Sequence, residues 1–196
     1  MRQLIVLLAV VILLSGLSGC QNAGSKNTDV KVVIEGEGQF PEFLAGAWKS
    51  EQNGWKFVFE PNGTMSSIVH NFGLVEMKPG QIKTVPMLQK GKSIYEPGPW
   101  TVVYTPTSRQ LMVKIVLKRV YAKLGGGVIE GSFVDVINGQ ISKDGKVWIA
   151  DWDSFPDIRA HTDKYPNFSL AVADPNYDPN EGISKTLFFE KVAQNK

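Results

Sequence analysis

Between Phe40 and Val192 the chain breaks into short runs of Val, Ile, Phe, Trp and Thr, separated by Gly, Pro, Asn and Asp at turn positions. Runs this short do not build packed helices, whereas β-branched and aromatic side chains suit a pleated, half-buried surface, so the pattern predicts an all-β body. Leu44 to Gln52 meets Trp55 to Glu60 across Asn53-Gly54, a pair that tolerates the positive φ angles of a tight hairpin. Trp55, Phe57 and Phe59 then share one face. Pro61-Asn62-Gly63 supplies the next turn and leads into a strand from Thr64 to His70, which makes the opening a three-stranded meander.

From Phe72 to Pro99, Pro79-Gly80, Pro86, Gly91, Pro97-Gly98 and Pro99 interrupt the chain so often that only short strands within loops are expected. Trp100 to Thr105 and Leu111 to Tyr121 read as clearer strands. In the second, Leu111, Val113, Ile115 and Leu117 alternate with Met112, Lys114, Val116 and Lys118, giving one wet face. After Gly125-Gly126-Gly127, strands are expected over Val128 to Ile137 and Lys146 to Trp152. Of Asn138-Gly139 and Asp144-Gly145, one is required as the hairpin turn and the other is free to be a bulge. Phe155 to Asn180 is rich in proline and lacks periodicity, which predicts a long loop with at most one short helix, and Ile183 to Val192 closes the chain as a strand. Eight or nine antiparallel strands with one apolar face suit an up-and-down barrel, with a sandwich as the alternative.

The amino terminus carries a different signal. Arg2 precedes an apolar run from Leu4 to Leu14 that is short for a membrane span and is followed by small residues, the arrangement of a secretory signal over residues 1–19. Its end, Leu17-Ser18-Gly19-Cys20, resembles the lipobox of bacterial lipoproteins. That resemblance implies cleavage before Cys20, acylation of its thiol and amino group, and anchorage to a bilayer by several acyl chains, each buried methylene contributing roughly 0.8 kcal/mol. Gln21, not Asp, follows the cysteine, which by resemblance to Gram-negative lipoproteins implies an envelope location on the periplasmic side of the outer membrane. Residues 20–39 are expected to be the lipidated cysteine and a polar tether, and residues 40–196 one domain. Cys20 is the chain's single cysteine, so with its sulfur acylated the fold has no disulfide and no thiolate ligand. A net charge of +2 with interspersed signs gives no electrostatic footprint for nucleic acid.

Phe43-Leu44-Ala45-Gly46-Ala47-Trp48, with Trp55 to Thr64 after its turn, resembles the opening of lipocalin-like (calycin-type) domains. In that family a Gly-x-Trp on the first strand closes one end of the barrel, a role the resemblance implies for Gly46 and Trp48. Leu187 to Val192 is similar to the family's last strand, where a basic residue packs over that tryptophan; Lys191 stands nearest, where the family more often has arginine. Ala150 to Asp153 departs from the family's Thr-Asp-Tyr motif at two of three positions.

Catalytic patterns are sparse: there is no Gly-x-Ser-x-Gly, no His-Glu-x-x-His and no phosphate loop, and His70 and His161 are the chain's two histidines. An enzyme is not expected, nor a cofactor. Asp151 and Asp153 fall about 7 Å apart on one strand face, within range for an acid–base pair, and equally read as carboxylates bonding their own backbone. Asp174 to Glu181 places oxygens as the first half of a calcium loop does, but Pro179 and Lys185 replace the required glycine and glutamate, and no metal is expected. Trp100, Trp152, Tyr165 and Tyr177 fall near loops, where flat apolar faces with polar tips suit a small hydrophobic ligand. Two functions follow: a membrane-anchored carrier holding an apolar or amphipathic ligand in its barrel, or an envelope module that binds a protein or glycan through its loops.

Overall fold

The computed structural model describes residues 29–70, 74–86, 91–124, 127–161, 178 and 180–193. The leader, Cys20 and Tyr165 and Tyr177 lie outside them. Among the described residues the body is all-β, with twelve strands: β1 (Val30–Ile34), β2 (Gly46–Lys49), β3 (Lys56–Phe59), β4 (Met65–His70), β5 (Val75–Met77), β6 (Lys83–Pro86), β7 (Lys92–Pro97), β8 (Trp100–Thr105), β9 (Gln110–Leu124), β10 (Gly127–Ile141), β11 (Val147–His161) and β12 (Ile183–Lys191). They form one sheet in the order β1-β8-β9-β10-β11-β12-β2-β3-β4-β5, with β6 paired to β7 and β7 to β9. Strands β7 and β8 lie end to end along the same edge of β9, the break between them falling at Pro97-Gly98-Pro99.

Three expectations are corrected. The count exceeds eight or nine because the proline-broken stretch before Trp100 holds three short strands. The sheet is mixed, not wholly antiparallel, since β1 runs parallel to β8, with Val30 opposite Trp100 and Ile34 opposite Tyr104. The tether expected over residues 20–39 includes β1, whose Val30 is buried and whose Val32 and Ile34 pack against the core; its partner β8 lies 70 residues further along the chain.

The hairpin signals fall where their chemistry requires. Gly54 and Gly63 take φ of 70° and 83° in the β2–β3 and β3–β4 turns. Asp144-Gly145 makes the β10–β11 turn, tied by hydrogen bonds from Lys146 N–H to Asp144 Oδ1 (3.2 Å) and Ser142 Oγ (3.2 Å). Asn138-Gly139 instead lies within β10 without a register break; the bulge falls between Gly131 and Phe133. Strand β11 runs on to His161, through a stretch expected to be loop. Pro156 is tolerated there because β12 ends opposite Ser154, so the proline sits on an edge where no donor is needed on that side.

The sheet is strongly curled. Strands β4 and β10 are five spacings apart along the sheet order, about 24 Å if it were flat, yet His70 Nε2 lies 2.9 Å from Asp135 Oδ2. Gly131 and Gly139 on β10 aid this curl, because a Cβ at either would overlap a backbone carbonyl oxygen of β11, that of Asp157 or Ile149. The hydrogen-bonded path itself stays open between β5 at one edge and β1 and β6 at the other, among the described residues. Both walls contribute to one core that holds Trp48, Trp55, Phe57 and Ile68 together with Trp100, Val113, Ile137, Trp148, Trp152 and Phe189.

Candidate functional site

Along the inner face the side chains change from aromatic to polar to open. At one end Trp148 stacks on Phe189 with ring centroids 4.7 Å apart, and Phe57 lies 5.5 Å from Phe189 and 5.8 Å from Trp148. Trp48 is buried beside them, and its indole N–H donates to Leu44 O at 2.9 Å. Gly46 holds φ at 111° where the chain enters β2 from a short 3-10 turn (Glu42–Leu44). Lys191 lies opposite Trp48 in the β12–β2 register, and its ammonium donates to Phe43 O at 2.5 Å. The three residues singled out for barrel closure are thus brought together, with Lys191 bonding the 3-10 turn that Trp48 also bonds.

Midway sits a buried polar group. Asp135 accepts the Trp152 indole N–H at 2.8 Å on one oxygen and lies 2.9 Å from His70 Nε2 on the other. Each carboxylate oxygen is therefore engaged, which offsets the desolvation a buried acid suffers. Trp55 packs edge-on against His70 at 4.7 Å and against Trp152 at 5.9 Å. The arrangement ties the β4 wall to the β10–β11 wall from inside.

At the other end Phe133, Ser154, Pro156, Ile158 and Ile183 line a concavity of about 400 Å³, with Asp178, Glu181 and Lys185 on its lip. The lip is fixed to β11 by Asn180, whose Oδ1 accepts Ile158 N–H at 2.5 Å and whose Nδ2 donates to Ile158 O at 3.2 Å. Asn180 N–H in turn bonds Asp178 Oδ1 at 2.9 Å, an Asx turn. Ser154 is 5 % exposed on that wall. A broader depression of about 920 Å³ lies at the opposite end, bordered by Gly46, Phe59, Glu60, Lys146 and Lys191.

Trp100 and Trp152 do not share an accessible hollow: both are buried in the core, Trp152 in the polar group and Trp100 beneath β1. Asp151 and Asp153 point outward from β11, on the face opposite buried Trp152, and Asp151 Oδ1 accepts the Thr186 hydroxyl at 2.7 Å. The described part of Asp174 to Glu181 makes the Asx turn, and no group of three metal-ligating side chains occurs among the described residues. Sequence patterning assigns no role in this arrangement to His70, Asp135, Ser154 or Lys185. The available signal was parity: Asp135 falls between Phe133 and Ile137 on an otherwise apolar face, and His70 follows Ile68 on the inner face of β4.

The chain matches no protein-family model, and comparison with curated proteins and with solved structures yields no match.

Proposed function

We propose that this is a lipid-anchored bacterial envelope protein whose lipocalin-like barrel has a filled interior and serves as a binding module, meeting a protein or glycan at the end of the barrel where Ser154 and Lys185 lie. The anchor reading rests on Leu17-Ser18-Gly19-Cys20. The barrel reading is supported by the curl of the sheet and by β5 and β6, which flank the unpaired gap and are consecutive in sequence. Only residues 78–82 join them, so the two edges cannot lie far apart. The observation that carries the functional reading is the packing of all five tryptophans into the core, which leaves the interior occupied by the protein's own side chains. Among the described residues no helix is long and apolar enough to cross a membrane.

Metabolic labelling with a fatty acid tests the anchor: Cys20→Ser is expected to lose the label and to release a folded domain from the membrane fraction, and a labelled variant would overturn the reading. A photo-cross-linking residue at position 183 tests the module. A discrete adduct in intact envelopes, lost when the cross-linker moves to the outer face at position 118, is the expected result.

One observation favours the carrier as a second reading: the apolar wall of Phe133, Pro156, Ile158 and Ile183 could hold an amphipathic ligand at the mouth of the barrel. Saturable quenching of tryptophan fluorescence by an apolar naphthalene probe would support the carrier over the module; unsaturable quenching would remove it.

A further inference from the structure

Charge is unevenly divided over the outer surface of the sheet. Strand β9 carries Lys114, Lys118, Arg119 and Lys123, all exposed, and no carboxylate. Its neighbours add Lys31 on β1 and Lys92 on β7, and Glu96 on β7, held by Lys118 at 3.0 Å, is the one acidic residue of strands β1, β7, β8 and β9. On the far side of the spine the outward residues of β11 and β12 include Asp151, Asp153, Asp157 and Glu190 against Arg159. The register sets the basic face in order: Lys31 lies opposite Thr101 and Thr101 opposite Lys114, while Val33, Val103 and Met112 form the next row. Since Val32, Val102 and Val113 turn inward to the core, both rows point outward, and Val33, Val103, Met112 and Val116 are half-buried there.

Cations with short apolar side chains between them fit a surface that is anionic outside and apolar beneath. A phospholipid leaflet has that chemistry: its headgroup phosphates draw the ammonium groups, while lysine stems and valines settle toward the first acyl carbons. The chain also supplies the approach. On the lipoprotein reading Cys20 is the acylated residue, and the link from it to Asp29, where β1 begins, reaches at most about 30 Å when fully extended. The anchor therefore delivers the chain to the edge of this face, at Lys31, and holds the face near the bilayer at high effective concentration. We propose that the outer face of β1, β8 and β9 docks on an anionic phospholipid leaflet, so that the anchored domain lies on its side with the carboxylates of β11 and β12 turned to water. This orientation rests on the lipid-anchor reading and leaves β12, with Lys185, on the water side for a binding partner.

The test uses the full chain, acylated at Cys20 and placed in vesicles, so that a newly introduced cysteine is the sole site for a spin label. Val103→Cys and Val116→Cys report the proposed face; Asp153→Cys and Thr186→Cys report the opposite one. In vesicles of phosphatidylethanolamine and phosphatidylglycerol, the first pair is expected to lose accessibility to an aqueous nickel chelate and to gain accessibility to oxygen, while the second pair keeps the values seen in detergent. Should Val116→Cys fail to fold, Thr101→Cys on the same face takes its place. Lys31→Glu combined with Lys114→Glu reverses two cations that form no ion pair among the described residues. That double variant is expected to restore nickel access at 116, as high salt does, with fatty-acid labelling of Cys20 unchanged. Equal nickel access at 116 and 186, or shielding at 116 that survives the charge reversal, overturns the docking. So does shielding that is already present in detergent and grows with protein concentration, which assigns the face to a second copy, or shielding in native envelopes but not in vesicles, which assigns it to a protein. If the wild-type chain takes up no fatty acid, the anchor reading falls and the orientation with it; if it is labelled while 116 stays accessible, the orientation alone falls.

Discussion

Trp48 shows how one side chain can fix an end of the molecule. Its ring is wholly buried, its N–H is bonded to Leu44 O, and Lys191 from the last strand reaches the carbonyl next door. Trp48→Ala removes the ring and leaves Leu44 O without its donor, and is expected to cost roughly 3–5 kcal/mol in denaturant unfolding. Trp48→Phe keeps most of the packing and loses the bond, so its cost should be nearer 1–3 kcal/mol, roughly that of one buried polar group left unpaired. An unchanged midpoint for the alanine variant would remove the structural basis of the barrel-closing role. Tyr95 gives a pH signature at the same scale. Burial raises its phenol above the ordinary tyrosine range, and the Ser93 hydrogen bond opposes that rise only in part. The folded state therefore holds the proton to higher pH than the unfolded chain does. Stability from this group is fully present below pH about 10 and is lost as pH rises through the folded value. Burial raises Tyr104 in the same direction, with Arg109 opposing. Tyr95→Phe is thus expected to flatten the alkaline loss of stability in melts above pH about 10, and an identical alkaline slope in the variant would show that Tyr95 does not titrate with unfolding.

At the scale of elements, the long strands β9, β10 and β11 form the spine, and their curvature depends on glycine. A Cβ at Gly139 would collide with the Ile149 carbonyl oxygen, a backbone atom that cannot step aside as a side-chain tip can. Gly139→Ala is accordingly expected to cost about 1–3 kcal/mol, the range for overpacking, read as a lower midpoint in chemical unfolding; equal midpoints would mean that the strands separate there at little cost. This residue also shows where sequence was legible and where it was not. Turn chemistry marked Asn53-Gly54, Asn62-Gly63 and Asp144-Gly145 because each needs a left-handed backbone. Asn138-Gly139 carries the same letters for a different reason, the close approach of β11, and only the three-dimensional neighbour tells the two apart. Strand β11 was legible as far as Trp152 and not beyond, since Pro156 is a strand breaker unless an edge is free on its N–H side, and that edge is created by the distant end of β12. The alternation in β9 was legible from Leu111 to Lys118 because one face is wet, and it breaks where Lys118 and Arg119 are both exposed. The polar pair His70 and Asp135 was not, because its meaning lies in a contact between strands 65 residues apart in sequence.

At the scale of the whole molecule, the link between the proposed anchor and the domain runs through β1. The chain that leads from Cys20 enters the sheet at β1, a five-residue strand paired in parallel with β8 alone. Val30 is buried over the core, Val32 and Ile34 rest on it, and Glu35 extends the joint with a backbone bond to Tyr104 O at 2.9 Å and a side-chain bond from the Thr105 hydroxyl at 2.7 Å. If the proposed tether holds, pull on it falls on β1. Truncation from the amino terminus should then show a step. Removing residues up to 28 is expected to leave stability unchanged. Removing residues through Ile34 uncovers the Trp100–Tyr104 edge and deletes a buried valine and three partly buried aliphatic side chains, a loss on the order of 3 kcal/mol at the usual value per buried aliphatic group. Thermal unfolding of the two truncated domains decides between a joint and a passive linker. A gradual decline across both truncations, or no change at either, would mean that β1 contributes little to the fold.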